Sequence, residues 1–351
     1  MGRTPDQWVA EGRSLILDML GSLDAALWPE IEARGGEQRC RGFPRVDVNH
    51  LLTARNGLLH EGLIVRSREP TRGGRAEVDV YHVPLARGNQ TRIARAAARK
   101  RLLYARWHGW AVGDARHPSG FVGVAGERVV RASLGAAARE LYHPVMPNFG
   151  QVTSVFGDRV TPGSLDSAAW MFPRAGGIVG SPTFVPIEVK NIREWIFPHS
   201  HQLYQVLLKA SVIQNAHRDQ RVAPLLVCRR KHIQTLYMAK DLGFMVVELK
   251  RQFLLPSADY SEADVEEVRS GIGFTHLAIT DQADARLVQI LNETLPQHAE
   301  LLALRWKDHG AAFEPLYRVL ADDRASDDDR KEALAELREG GQKLPGAKSG
   351  W

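Results

Sequence analysis

Apolar positions along this chain recur first at helical spacing and later in short strand-like runs. Between residues 6 and 34, Leu15, Ile16, Met19, Leu20, Leu23, Leu27 and Ile31 fall three to four residues apart or side by side, which predicts two helices. Val48, Leu51, Leu52, Leu58, Leu59 and Leu63 mark the apolar face of a further helical segment. A strand over 63–67, the turn-rich EPTRGGR and a second strand over 76–83 come next. Residues 90–108, QTRIARAAARKRLLYARWH, read as one strongly basic helix.

From residue 127 the pattern shortens. ERVVRASLGAAARELY predicts a helix that Pro144 and Pro147 end. Strands are expected at 151–157, 164–172 and 184–191, the last two joined by the hairpin-like PRAGGIVGSP. Ser200 can cap a helix through HQLYQVLLKASVIQNAH. A strand at 223–229, a helix at 232–242 and a strand at 245–250 complete the order helix, three strands, helix, strand, helix, strand. Beyond Pro256 the expectation is a helix (261–269), a strand (274–280), two helices (283–306) and an acidic helical end (308–339). The last dozen residues, rich in Gly and Lys, are expected to fray. Four regions follow: 1–88, a basic helical linker at 89–126, an α/β core at 127–256, and a mostly helical extension at 257–351.

A chain of 351 residues with 44% hydrophobic residues is globular in composition, and its length predicts two or three domains. Two cysteines, Cys40 and Cys228, exclude a disulfide framework and a cysteine-based zinc site; free thiols in a reducing compartment are expected. MGRTPDQWVAEGRS lacks the apolar core of a signal peptide, and no run of apolar residues is long enough to span a bilayer. The expectation is a cytoplasmic protein with no membrane partner.

Charge is unevenly placed. The net charge is +5, yet residues 41–131 carry 17 Lys and Arg against 7 Asp and Glu, a net of +10, and residues 308–339 carry 5 against 10. Two helices followed by a hairpin with a basic tip give the outline of a winged helix. Arg66, Arg68, Arg72 and Arg75 would lie on or near its wing, where phosphate contacts are plausible. Winged helices also mediate protein contacts, so that alternative stays open. Arg92, Arg95, Arg99 and Lys100 can share a face of the basic helix. A solvated charged face is the ordinary explanation; its place beside the wing favours a nucleic-acid surface.

Asp166, Glu188 and Lys190 carry the candidate chemistry. Glu188 and Lys190 stand two apart on an expected strand, so their side chains share a face. Charges among Phe184, Val185, Ile187 and Val189 are costly to bury uncompensated. A divalent cation shared with Asp166 on the preceding strand would compensate them, and oxygen ligands suit Mg²⁺ or Mn²⁺. Metal-bound water is more acidic and can attack a phosphodiester, with Lys190 orienting it or offsetting charge on the phosphate.

LDSAAW followed by PIEVKN resembles the PD-(D/E)XK nuclease superfamily, in which an acidic residue on the second core strand precedes (Asp/Glu)-X-Lys on the third. The resemblance covers roughly residues 127–256 and implies a restriction-endonuclease-like αβββαβ core; together with the winged-helix outline of the N-terminal residues, the expected fold is α/β with that core and an N-terminal winged-helix domain. It implies a metal-dependent deoxyribonuclease acting in phage defence, restriction, transposition or repair. Asp166, Glu188 and Lys190 would be catalytic, and a first-helix glutamate would complete the metal site, Glu140 first and Glu127 as fallback. The exonuclease-like branch places Gln-X-X-X-Tyr on the following helix; Gln202 matches, but Val206 stands where the Tyr would fall. Leu165-Asp166 replaces the "PD" dipeptide. Asp158 is a second-ranked rival to Asp166, and His199 and His201 read as solvated or phosphate-contacting. The partner is DNA, and double-strand cutting would need a homodimer, other subunits or two successive nicks. The other readings are a DNA-binding or assembly protein with a degenerate nuclease fold, and a nuclease acting on RNA.

Overall fold

Two units divide the computed structural model, which describes residues 3–40, 42–71, 76–86, 88–113, 120–145, 150–175, 178–345 and 351. One unit comprises Met1–Gly120 with Ser257–Leu277, the other Phe121–Pro256 with Ala278–Trp351. Both α-helix and β-sheet are present in each, so the chain is mixed α/β.

The first unit starts with α1 (Pro5–Leu23), whose N-terminus is held by a capping box between Thr4 and Gln7. It continues through β1 (Ala26–Leu27), α2 (Trp28–Glu32), α3 (Val48–His60), β2 (Val65–Pro70) and β3 (Glu77–His82). β3 is the middle strand, antiparallel to both β1 and β2. Leu15, Ile16, Met19, Leu20, Ile31, Leu51 and Leu58 of the apolar set read from the sequence lie in the core, joined there by Ala26, Val46, Ala54, Ile64 and Tyr81, whereas Leu52 and Leu63 are exposed. α4 (Gln90–Val112) buries Ile93, Ala97, Lys100, Leu103, Trp107 and Trp110. Trp107 meets Phe274 edge-on at 5.3 Å, and Trp110 lies 5.2 Å from Tyr260. The expected linker helix is therefore part of this unit's core. The C-terminal region is likewise not one extension, because 257–277 returns to the first unit and 278–351 belongs to the second.

The second unit runs α5 (Val122–Ala136), β4 (Tyr142–Val145), β5 (Ser167–Met171), β6 (Thr183–Lys190), α6 (His201–Ala216), β7 (Leu225–Cys228), α7 (Ile233–Leu242) and β8 (Met245–Glu248). The strands form one sheet in the order β8-β7-β6-β5-β4. β5 is antiparallel to both of its neighbours, β4 and β6; β6, β7 and β8 run parallel, joined by α6 and α7 as crossovers. Both faces are covered. Ala168, Phe184, Leu226 and Val246 pack toward Leu203, Val206, Leu207 and Met238, and Ala169, Val185, Ile187 and Val227 pack toward Val129, Val130, Leu134 and Leu295.

The first strand is a correction. The expected strand at 151–157 supplies only an isolated bridge at Val152 and the two-residue strand Ser154–Val155; Tyr142–Val145 pairs with β5 instead. The helix before it stops at Ala136 because the following residues are recruited elsewhere. Asn292 Oδ1 accepts from the Ala138 N–H, the Tyr142 hydroxyl donates to the Leu291 carbonyl at 2.5 Å, and β4 joins the sheet.

At the C-terminal end, Asp327, Asp328 and Asp329 occupy the first turn of helix Asp327–Gln342 behind the Ser326 cap, where they complement its dipole. Of the last dozen residues, expected to fray, 346–350 lie outside the described residues, and the helix runs on to Gln342. Trp351 is buried, and its indole N–H donates to Asp241 Oδ2 at 2.9 Å. Among the described residues, no helix is long and apolar enough to cross a membrane.

Candidate active site

β6 alternates across the sheet, which puts Glu188 and Lys190 on the face covered by α6. Asp166 stands one residue before β5, where the pairing Ser167↔Ile187 ends the ladder. Its Oδ2 accepts from the Val189 N–H at 2.8 Å, so a side chain extends the strand pairing by one bond. The three expected residues thus converge at the junction of β5 and β6.

Glu188 is 3% exposed and holds two ammonium groups. Lys190 Nζ donates to Oε1 at 2.9 Å and Lys209 Nζ donates to Oε2 at 2.8 Å. Lys190 also donates to Gln205 Oε1 at 2.5 Å, and Lys209 to the Ser164 carbonyl at 2.6 Å. Gln205 and Lys209, one turn apart on α6, escaped the sequence reading. A detectable signal was present: they are polar positions four apart among Leu203, Tyr204, Val206, Leu207, Leu208 and Ala210, all buried. The four-residue step sought from Gln202 to Val206 is made one turn later, from Gln205 to Lys209.

Burial, and then the charge of Glu188, push the Asp166 carboxyl up to about 6, against the opposing pull of Lys190 and the Val189 N–H. Asp166 Oδ1 accepts no hydrogen bond from a described residue. A buried carboxylate with a free oxygen and a like-charged neighbour is a donor set that suits a hard cation keeping most of its waters. Among the described residues, no group of three or more His, Cys, Asp or Glu is arranged to hold a metal. The fit therefore rests on Asp166 and Glu188.

Glu140 is not on the first core helix. It sits in the turn after Ala136 and is exposed, because the chain leaves the helix to form β4. Glu127 is on α5, and its charge contributes to the rise at Asp166. Arg131 joins the two, donating to Glu127 Oε2 at 3.3 Å and to the Asp166 carbonyl at 3.2 Å. Gln202 is half-buried and makes no hydrogen bond to a described residue, whereas Gln205 touches the lysine. Asp158 lies in the small hairpin Ser154–Val155/Asp158–Arg159 and pairs with His217 Nε2 at 3.1 Å, at the C-terminal end of α6. His199 stacks on Phe197 at 5.0 Å. His201 has a lowered proton affinity, from burial first and then from Arg330 and Lys190.

No known protein family, curated protein or solved structure matches the chain.

The expected nucleic-acid contacts separate into distinct groups. Arg66 and Arg68 are exposed on β2 but face cross-strand carboxylates, Asp79 at 3.9 Å and Glu77 at 2.6 Å. Arg72 and Arg75 lie outside the described residues. Arg92 pairs with Asp24, its Nε donating to Oδ1 at 3.2 Å. Arg95 and Arg99 are exposed and make no ion pair with a described carboxylate. Lys100 is a correction: only 6% exposed, it donates to both oxygens of Glu30 at 2.5 Å. One residue turns a helix by about 100°, so Lys100 leaves the Arg92–Arg95–Arg99 face for the buried row of Ile93, Ala97 and Trp107.

Proposed function

We propose that the chain is a metal-dependent DNA nuclease of the PD-(D/E)XK type, with an N-terminal winged-helix unit that contacts DNA. The observation that carries the reading is the convergence of Asp166, Glu188 and Lys190 at one strand junction, with Lys190 Nζ 2.9 Å from Glu188. The order α5-β4-β5-β6-α6-β7 supports it, being the αβββαβ succession that the family uses. The succession α1-β1-α2-α3-β2-β3, with β3 central, supports the winged helix.

Asp166 and Glu188 would hold Mg²⁺ or Mn²⁺, which supplies Lewis acidity toward the phosphate and a more acidic water. The chain's own groups do the rest. Gln205 directs the Lys190 ammonium, which donates toward the attacking water or a phosphate oxygen and offsets developing negative charge. Lys209 neutralises the second oxygen of Glu188, and so limits its repulsion of the phosphate. Arg66 and Arg68 would contact backbone phosphates.

The test is cleavage of linear, circular, single- and double-stranded DNA, with matched RNA, at 5–10 mM Mg²⁺ or Mn²⁺, roughly saturating for a site of few protein ligands. Parent protein cleaves DNA, and Lys190→Ala loses on the order of a hundredfold or more in rate. Equal cleavage by Lys190→Ala overturns the assignment. One observation favours a second reading, a DNA-binding protein without catalysis: two ammonium groups already neutralise Glu188, so burial alone does not demand a metal. Binding without cleavage under every divalent metal selects that reading.

A further inference from the structure

Glu30 on α2 is fully buried, and it serves two cations at once. Lys100 Nζ donates to both of its oxygens, and Arg34 Nε donates to Oε1 at 2.9 Å. One carboxylate thus answers two positive charges. Arg34 is held in place from the other side as well: its Nη2 donates to the Ser270 carbonyl at 2.8 Å. Gly273, with φ +73, leaves the space its stem needs, since a Cβ there would lie 2.7 Å from Arg34 Cγ. These are fixed cations in a built wall, unlike surface side chains free in solvent.

The wall borders an open pocket of about 560 Å³ in the first unit. Arg34, Arg92, Arg95, Arg99 and Lys100 line it, and among the described residues Asp24 is its one lining carboxylate, already paired to Arg92. Counting Glu30 behind the wall, five cations meet two carboxylates, and the surplus is three positive charges. Burial lowers the proton affinity of Lys100 against the opposing pull of Glu30, and Arg34 and Arg99 lower it further. Like charges gathered around a cavity repel until an anion enters. The volume lies within the roughly 300–1,000 Å³ typical of small-molecule sites, larger than one phosphate needs. Arginine forks suit phosphate oxygens bidentately.

We propose that this pocket binds a phosphate group carrying two or more negative charges: either the terminal phosphomonoester of a nucleic-acid strand or the phosphate chain of a free nucleotide. An internal phosphodiester has one charge per group and leaves most of the surplus unanswered. The surplus exists whether or not the carboxylate site cleaves anything, and only the strand source rests on the nuclease reading.

The test is melting and fluorescence anisotropy of the full chain in EDTA, so that no cleavage intervenes. Probes are pyrophosphate, adenosine triphosphate, and one oligonucleotide with either a 5′-phosphate or a 5′-hydroxyl. Pyrophosphate or the triphosphate at a hundredfold excess over its Kd raises the unit's Tm by roughly 5–10 °C. Arg95→Ala/Arg99→Ala, a change at two exposed unpaired residues, keeps the ligand-free Tm within about 2 °C and loses tenfold or more in affinity. Tenfold tighter binding of the phosphorylated oligonucleotide identifies a strand terminus; equal oligonucleotide binding with a triphosphate shift identifies a nucleotide. No shift with any probe, or an undiminished shift in the double variant, overturns the pocket. These readouts are taken in EDTA and report a pocket of the first unit, so failure of the nuclease reading leaves the result readable.

Discussion

Lys209 reaches Glu188 from the middle of a buried helix, its Nζ 2.8 Å from Oε2, and gives the carboxylate a second ammonium besides that of Lys190. Removing either lysine leaves charge uncompensated, but the two removals should differ. Lys209→Met breaks a contact between groups about nine-tenths buried and is expected to cost on the order of 3 kcal/mol in stability. Lys190→Ala, at the outer end of the strand, should cost less stability and more rate. Urea melts of both variants decide this, and equal losses would contradict the division of roles.

Asp166 makes stability depend on pH with a definite sign. Its unfolded carboxyl loses a proton near 3.8, while the native one holds it to about 6. Between those values the native state binds more protons, so the contribution is full below pH 3.8 and is lost as pH rises through 6. The loss is about 3 kcal/mol at most, since one pKa unit corresponds to about 1.4 kcal/mol. Asp166→Asn keeps an oxygen for the Val189 N–H and cannot ionise. It should be more stable than parent at pH 8 and show no such gain at pH 4. Denaturant midpoints at the two pH values test this; a pH-independent difference contradicts the raised carboxyl.

Divalent metal should reverse the repulsion between Asp166 and Glu188. Millimolar Mg²⁺ or Mn²⁺ is expected to raise Tm, by an amount set by concentration over Kd. Asp166→Asn/Glu188→Gln should abolish the shift, and a parent protein indifferent to both ions argues against a metal there.

Gln205 rather than Gln202 contacts the candidate catalytic lysine. Gln205→Leu should therefore slow cleavage by roughly tenfold through misdirection of Lys190, with Gln202→Ala within about twofold of parent. Side-by-side rates on one DNA substrate rank the two; the reverse ranking would restore the sequence-based choice.

Gly126 on α5 is needed where Asn191 follows Lys190. A Cβ at Gly126 would lie 2.5 Å from the Asn191 Cβ. Asn191 Nδ2 donates to the Val122 carbonyl at 2.6 Å and to the Phe253 carbonyl at 2.8 Å, and its Oδ1 accepts from the Phe253 N–H at 2.9 Å. Gly126→Ala is expected to destabilise by about 1–3 kcal/mol despite the better helix propensity of Ala. A rise in Tm would show that α5 can move aside.

The shared face of Glu188 and Lys190 was legible because strand periodicity is two, and the Asp166 placement because a hairpin brings its start beside Glu188. Lys209 and Gln205 left only a weak signal, two polar positions four apart in an otherwise apolar helix, with no motif of their own. Glu140 was misplaced because Ala-rich AAAREL favours helix locally, while pairing of Tyr142–Val145 with β5 overrides it. Lys100 was misread because charge and spacing do not reveal a buried partner 70 residues away. The acidic run near 327 was legible as helical, but its position at a helix start, which makes it structural, emerged only with the fold.

α6 has a consequence for how the site works. Ten of its sixteen residues are buried, from Leu203 to Gln214, so it cannot slide or rotate without opening the core. Gln205 and Lys209 are consequently held at constant reach from the sheet before any substrate arrives. Their ordering entropy is met during folding and does not recur each time the site is filled, so its donors need little reorganisation when a ligand arrives.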